Sequence, residues 1–179
     1  MAPDIFVKQL AALAPTPAEL ERLGLPKEEA RRWIESFLCI ERKHPLQADG
    51  GSDELMTFLR NWDCSNIEIG MIRFPDPPAA RPGAMYVGCV EADPLLMLTD
   101  TGEIAVYELG TNKLLWWVAR SGAHLLEAIL LAARFLEARG SGRIDFNDYT
   151  AARHSASECA SAAGGDEFLD FYKMLLGAE

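Results

Sequence analysis

The sequence predicts an α+β fold: an antiparallel meander sheet of about five strands flanked by helices. Three observations carry this. Short runs rich in Val, Leu, Tyr and Trp succeed one another at residues 85–91, 95–99, 103–108 and 113–119, each bounded by turn residues. The connections between them are short, which forces neighbouring strands to be antiparallel. Directly after the last run, Leu125, Leu126, Ile129, Leu130, Ala133 and Leu136 recur at helical spacing.

Ahead of the meander, Pro3-Asp4 opens a short helix to about Leu13. Thr16-Pro17 starts another, with Thr as N-cap, Pro in the first turn and Gly24 as the stop. Leu25-Pro26 leads into a stronger helix over 27–43, with Ala30, Trp33, Ile34, Phe37 and Leu38 on one face and Pro45 at its end. Asp49-Gly50-Gly51 reads as a loop, and Ser52 as the cap of a short helix over 54–61. Residues 66–74 alternate Ile67, Ile69 and Met71 with Glu68 and Gly70, which predicts a fifth strand at an edge. From Pro75-Asp76-Pro77-Pro78 to Pro82-Gly83 the prolines bar the chain from a ladder, so the segment is expected to be a surface arm able to present a binding surface.

The turns of the meander are Ala92-Asp93-Pro94, Asp100-Thr101-Gly102 and Gly110-Thr111-Asn112. Side chains alternate along a strand, so Leu95, Met97 and Thr99 oppose Leu96 and Leu98, and Leu114, Trp116 and Val118 oppose Leu115, Trp117 and Ala119. Both sets are apolar. A sheet wet on one face would be polar on it, so this one is expected to be covered on both faces, by its own helices or partly by a partner. Trp116 and Trp117 must point to opposite sides; one is core, and the other is core beneath the terminal helices or an interface anchor.

Ser121 fits the N-cap of the helix that follows, and Gly140 the position just past its end. Glu127 and Arg134 within that helix argue against a membrane span. Beyond Gly140 an Ala- and Ser-rich stretch predicts one polar or loosely packed helix, capped by Asp145 or Asn147. Residues 166–176 then form an amphipathic helix with Phe168, Phe171, Tyr172 and Leu175 on one face and Gly177 as its stop. That face needs the exposed side of the sheet or another subunit, so a homodimer is among the options. The expected organisation is a single domain over 1–179, with a helical lead-in (1–24), an α+β core (25–139) and a C-terminal helical extension (140–179).

The net charge of −10 argues against nucleic acid as the partner, because phosphate binding needs a basic surface. The acid is concentrated: residues 45–111 hold eleven acidic side chains against Arg60, Arg73 and Arg81, a local balance of −8. The reading is either a solvated surface or an acidic face for a basic protein partner. On the second, the candidate partner-binding residues are Asp49, Asp53, Glu54, Asp63, Glu68, Asp76, Glu91, Asp93, Asp100 and Glu103, with Trp116 as the apolar anchor.

No motif for chemistry stands out. His44, His124 and His154 are isolated, and Cys39, Cys64, Cys89 and Cys159 have no CxxC spacing, so neither a metal nor another cofactor is expected. His44 with Asp49 and Asp53 is the one grouping that a loop could bring together. Asp145, Asn147 and Asp148 resemble the start of a calcium loop but lack its glycine and closing Glu. Ala119-Arg120-Ser121-Gly122 lacks the first glycine of a nucleophile elbow, and no phosphate loop is present. The absence of such motifs lowers the expectation of an enzyme; a hydrolase would need a pocket lined by Asp93, His124 and Ser121. The opening MAPDIFVKQL carries an early Asp and too short an apolar run for a secretory signal, so a cytoplasmic protein with reduced thiols is expected.

Leu25-Pro26, Gly83 to Glu91, Asp93-Pro94-Leu95-Leu96-Met97-Leu98 with Thr101-Gly102-Glu103-Ile104, and Trp116-Trp117-Val118-Ala119-Arg120-Ser121 leading into Leu125-Leu126-Glu127 together resemble the SUKH superfamily. It includes bacterial toxin-immunity proteins and fungal regulators of cell-wall synthesis. The likeness runs over 25–139; Gly122 stands where the family pattern has Phe, and 140–179 lies beyond it. The resemblance implies an α+β fold without catalytic residues, whose bacterial members neutralise a toxin, often a nuclease, by binding it. The alternative, of a different class, is a scaffold or regulatory subunit of a housekeeping complex, docked through the C-terminal helix.

Overall fold

The computed structural model describes residues 1–46 and 53–178. The expected loop at Asp49-Gly50-Gly51 and the cap at Ser52 lie outside the described residues. The chain opens with α1 (Pro3–Ala11) and α2 (Pro17–Arg22), each with proline in its first turn, where an N–H would have no helical partner. Thr16 and Glu19 cap α2 reciprocally: the Thr16 hydroxyl accepts from the Glu19 N–H at 3.3 Å and the Glu19 carboxylate from the Thr16 N–H at 2.7 Å. Helix α3 covers Lys27–Glu35, shorter than predicted. The apolar spacing runs on through Phe37 and Leu38, but the chain leaves the helix to form β1 (Ile40–Glu41), paired antiparallel with β2 (Trp62–Asp63). Between them lies α4 (Glu54–Asn61), whose N-cap is Asp53.

The predicted fifth strand is a tight hairpin, β3 (Glu68–Ile69) and β4 (Ile72–Arg73). Gly70 makes the reversal at φ 60°, and a Cβ there would lie 3.0 Å from Leu175 Cδ1, so both conformation and space call for glycine. The Pro-rich arm joins the sheet after all, through three residues free of proline: β5 (Ala79–Arg81) pairs with β6 (Ala84–Val90). The meander continues through β7 (Asp93–Leu98), β8 (Ile104–Tyr107) and β9 (Leu114–Ala119). The sheet order is β3-β4-β6-β7-β8-β9, with β5 also on β6. Asp93 and Pro94 belong to β7, not to the turn before it, since Val90 pairs with Asp93 and Cys89 with Pro94. The turn is therefore Glu91-Ala92, with Glu91 at φ 53°.

Helix α5 (Gly122–Gly140) is capped by Ser121 as expected. Gly140 is its last residue and not the stop beyond it: a Cβ there would meet Trp33 Cζ2 at 2.7 Å, so glycine lets α3 lie close. Helix α6 (Tyr149–Ala163) is capped by Asp148, not by Asp145 or Asn147. It is tightly packed against α5, because Ala152, Ala156, Ala160 and Ala163 bury a flat face that allows close approach. A 3₁₀ turn (Asp166–Phe168) leads to α7 (Leu169–Leu176).

Helix α7 packs at β9, where the buried Tyr172 hydroxyl donates to the Val118 carbonyl at 3.1 Å. Tyr172→Phe should cost about 1 kcal/mol at neutral pH, read by urea unfolding. Burial, then the nearby Cys159, pushes this phenol well above its ordinary value of 10.0. A folded-state pKa that is raised gives stability complete below the unfolded value and lost as pH rises above it. Stability should therefore fall above about pH 10, and Tyr172→Phe should flatten that alkaline loss.

One core joins the helices to the sheet. Phe6 and Leu10 of the lead-in, Phe58 of α4, Ile129 of α5 and Phe171 of α7 share it with Leu95, Val106 and Val118.

Candidate binding face

The pairing register assigns the strand residues to two faces. Leu95 and Met97 of β7 face the same way as their partners Val106 and Ile104 of β8, and Trp116 lies opposite Val106. This set packs into or against the helical core. Tyr86 opposite Leu96, Leu96 opposite Ala105 and Ala105 opposite Trp117 form the other face, with Leu98 and Tyr107. Its larger side chains take no part in the core, and Trp117 remains 37% exposed. Of the two expected ways to cover both faces, cover by the protein's own helices alone is thus corrected: they take one face and leave the other open. Alternation fixed that two faces are apolar; which of them the helices take depends on packing between distant segments.

The open face is a shallow concavity of about 740 Å³. Tyr86, Pro94, Leu96, Leu98 and Tyr107 line it, closed at one end by the β8–β9 turn with Leu109 and at the other by Arg81-Pro82-Gly83. The Arg81 guanidinium lies 5.8 Å from the Tyr86 ring centroid. β6, β7 and β8 each pair with strands on both sides, so a partner here meets side chains and not backbone.

Acid sits at both ends of this face. Asp93 Oδ1 accepts from the Leu109 N–H at 2.8 Å, which joins the Glu91 turn to the Glu108 turn at one end. At the other, the Thr99 N–H donates to the Gly83 carbonyl at 3.1 Å, which brings Asp100 and Glu103 beside the Arg81 turn. Among the described residues, none of these five carboxylates is in a salt bridge. Arg81 and Lys113 are the cations of the same turns.

The remaining sequence candidates lie elsewhere. Asp49 lies outside the described residues. Asp53 is a structural cap: its carboxylate accepts from the Leu55 N–H at 2.8 Å and from the Gly122 N–H at 3.1 Å, tying the starts of α4 and α5 together. Glu54 is exposed on α4. Asp63 accepts from the Ser65 N–H at 3.0 Å, and that hydrogen bond holds its carboxyl below the ordinary value. Glu68 is paired with Arg73 at 2.9 Å and Asp76 with Arg42, so two of the acids are locally neutralised. Trp116 is packed against the core; its neighbour Trp117 is the exposed one. Sequence reasoning passed over Glu108, Leu96, Tyr107 and Trp117 as site residues, although the apolar alternation already marked Leu96 and Trp117.

The hydrolase pocket does not assemble. Ser121 Oγ lies 2.8 Å from His124 Nδ1 as part of the α5 cap, whereas Asp93 sits at the opposite end of β7 against Leu109. Among the described residues no three His, Cys, Asp or Glu side chains are grouped so as to hold a metal, and no helix is long and apolar enough to cross a membrane. A second crevice, of about 430 Å³, lies where α3 meets α5. The buried Glu137 on its wall is paired with Arg143. No family model, curated protein or solved structure matches this chain.

Proposed function

We propose that this protein is a non-catalytic binding module of the immunity type, which captures a basic toxin domain on the open face of the sheet and so blocks it. The observation that carries the reading is the uncovered apolar face with carboxylates at both ends. An apolar floor supplies affinity through burial, while unpaired acid at its ends speeds and orients the approach of a basic surface. A nuclease is a fitting target, since a surface that grips phosphate is basic. The SUKH resemblance of 25–139 supports the same reading. The scaffold alternative relied on the C-terminal helix as its docking element; α7 is packed at β9, so that reading would need another surface.

The test recovers the partner from native lysate at low salt and then measures the purified pair. Leu109 is 65% exposed, so Leu109→Ala should leave the melting temperature unchanged; Trp117 is 37% exposed and partly covered, so Trp117→Ala should lower it slightly and is compared at a temperature where it is fully folded. The reading expects a basic partner whose affinity falls at least about tenfold with each variant and weakens steeply with salt. An acidic partner, or full affinity in both variants, would overturn it.

Glu91 gives a separable prediction. Its φ of 53° is one that glycine adopts freely, so Glu91→Gly should be neutral or stabilising by up to about 1 kcal/mol. The same change removes a carboxylate from the rim, so partner association measured at low salt should slow as stability holds or rises.

A further inference from the structure

Strands β1 and β2 set two thiols opposite each other. Ile40 pairs with Asp63 and Glu41 with Trp62, so the same register carried one residue outward places Cys39 against Cys64. The Arg42 N–H donates to the Asn61 carbonyl at 2.8 Å, so the ladder alternates in a way that makes the 39/64 position non-hydrogen-bonded. At such positions opposed Cα atoms approach to about 4.5 Å and side chains lie closest, within the roughly 4.4–6.8 Å that a disulfide spans. The Cys64 thiol donates to the Trp62 carbonyl at 3.5 Å, and after burial the neighbouring Cys39 is the next cause that pushes it up. Cys64 is buried, 1% exposed, and Cys39 is half-buried at the edge of the core. Cys89 on β6 and Cys159 on α6 sit on other elements, away from this ladder.

We propose that Cys39 and Cys64 form a dithiol that closes to an intramolecular disulfide when the protein meets a small oxidising disulfide such as oxidised glutathione. Cys39, the more exposed, gives up its proton and attacks one sulfur of the reagent. The reagent's S–S bond breaks, one glutathione thiolate leaves, and a mixed disulfide forms. Burial raises the Cys64 thiol, so it resolves this intermediate and does not start the exchange. Cys64 loses its proton to solvent and attacks the Cys39 sulfur, releasing the second glutathione. Two protein thiols are oxidised and one reagent disulfide is reduced to two thiols. The new bond fixes the end of the β1–β2 ladder and closes a loop over 39–64 that contains α4 and its cap Asp53.

The full chain is incubated with oxidised glutathione, denatured, alkylated and mapped by mass spectrometry. The free thiols should fall from four to two, with Cys39 and Cys64 recovered as one cross-linked peptide. The melting temperature should rise by about 5–10 °C, reversed by dithiothreitol. Cys39→Ser should keep all its remaining thiols, and Cys64→Ala should trap glutathione on Cys39. If Cys64→Ala does not fold, Cys39→Ser decides the matter. Four thiols surviving in the wild-type protein, a different pairing, a link between chains, or a lower melting temperature on oxidation would each overturn the proposal.

Discussion

Gly122→Ala should lower stability by about 3–5 kcal/mol, a large share of the total that holds such a domain folded. The helices α4 and α5 begin side by side and share one carboxylate. Asp53 accepts from the Leu55 N–H at the start of α4 and from the Gly122 N–H at the start of α5. A negative charge there also meets the positive ends of both helix dipoles. An alanine Cβ at 122 would fall 1.9 Å from Asp53 Oδ1 and 2.5 Å from Leu55 Cβ. The Asp53 side chain could swing away, but then both N–H groups lose their acceptor. Leu55 cannot yield so easily, because it is fully buried on a helix. Asp53→Ala alone should cost about 1–2 kcal/mol, the usual worth of a cap. The double variant should lose less than the sum of the two, since one of the two clashes has gone, while the contact with Leu55 keeps it well below wild type. Urea unfolding of the four proteins measures the cycle. A Gly122→Ala protein within 1 kcal/mol of wild type would mean that the two helix starts are not in contact as described.

The meander was legible because strand propensity, alternation and turn residues pointed the same way over each run. Where a distant segment decided the outcome, local reading went astray. Helical spacing through Phe37 and Leu38 gave no hint that Ile40 would pair with Asp63. The alternation over 66–74 concealed a hairpin, although Gly70 inside it was the available sign of a turn. Within the candidate site, the acids of the turns could be named from sequence, and Glu91, Asp93, Asp100 and Glu103 do rim the open face. That Asp53 is engaged as a cap while Glu68 and Asp76 are held by Arg73 and Arg42 required the tertiary structure. The tryptophans show the limit most plainly. Adjacency puts Trp116 and Trp117 on opposite faces, but only the register with Val106 and Ala105 decides which faces out.

Phe58→Ala should cost about 3–5 kcal/mol, the usual range for emptying a buried phenylalanine site. Phe58 is fully buried and sits among three aromatic rings: Phe6 of α1 at 5.1 Å, Phe74 beyond β4 at 5.8 Å and Trp62 of β2 at 6.1 Å. Edge-to-face pairs of this kind add about 0.5–1.5 kcal/mol beyond the area they bury, and Phe58 makes two of them. Phe58→Leu keeps most of the volume but no ring, so it should lose only about 1–2 kcal/mol. The same residue tests how the first segment belongs to the rest. Phe6 and Leu10 enter the common core, and the N-terminal amino group donates to the Ala123 carbonyl at 3.1 Å, which pins α1 against the start of α5. If α1 is one cooperative unit with the sheet and helices, Phe58→Ala should unfold in a single transition at lower urea, with fluorescence and circular dichroism coincident. Two transitions, with early proteolytic cleavage before residue 24 and the remainder near wild-type stability, would instead mark the lead-in as a separately folding segment.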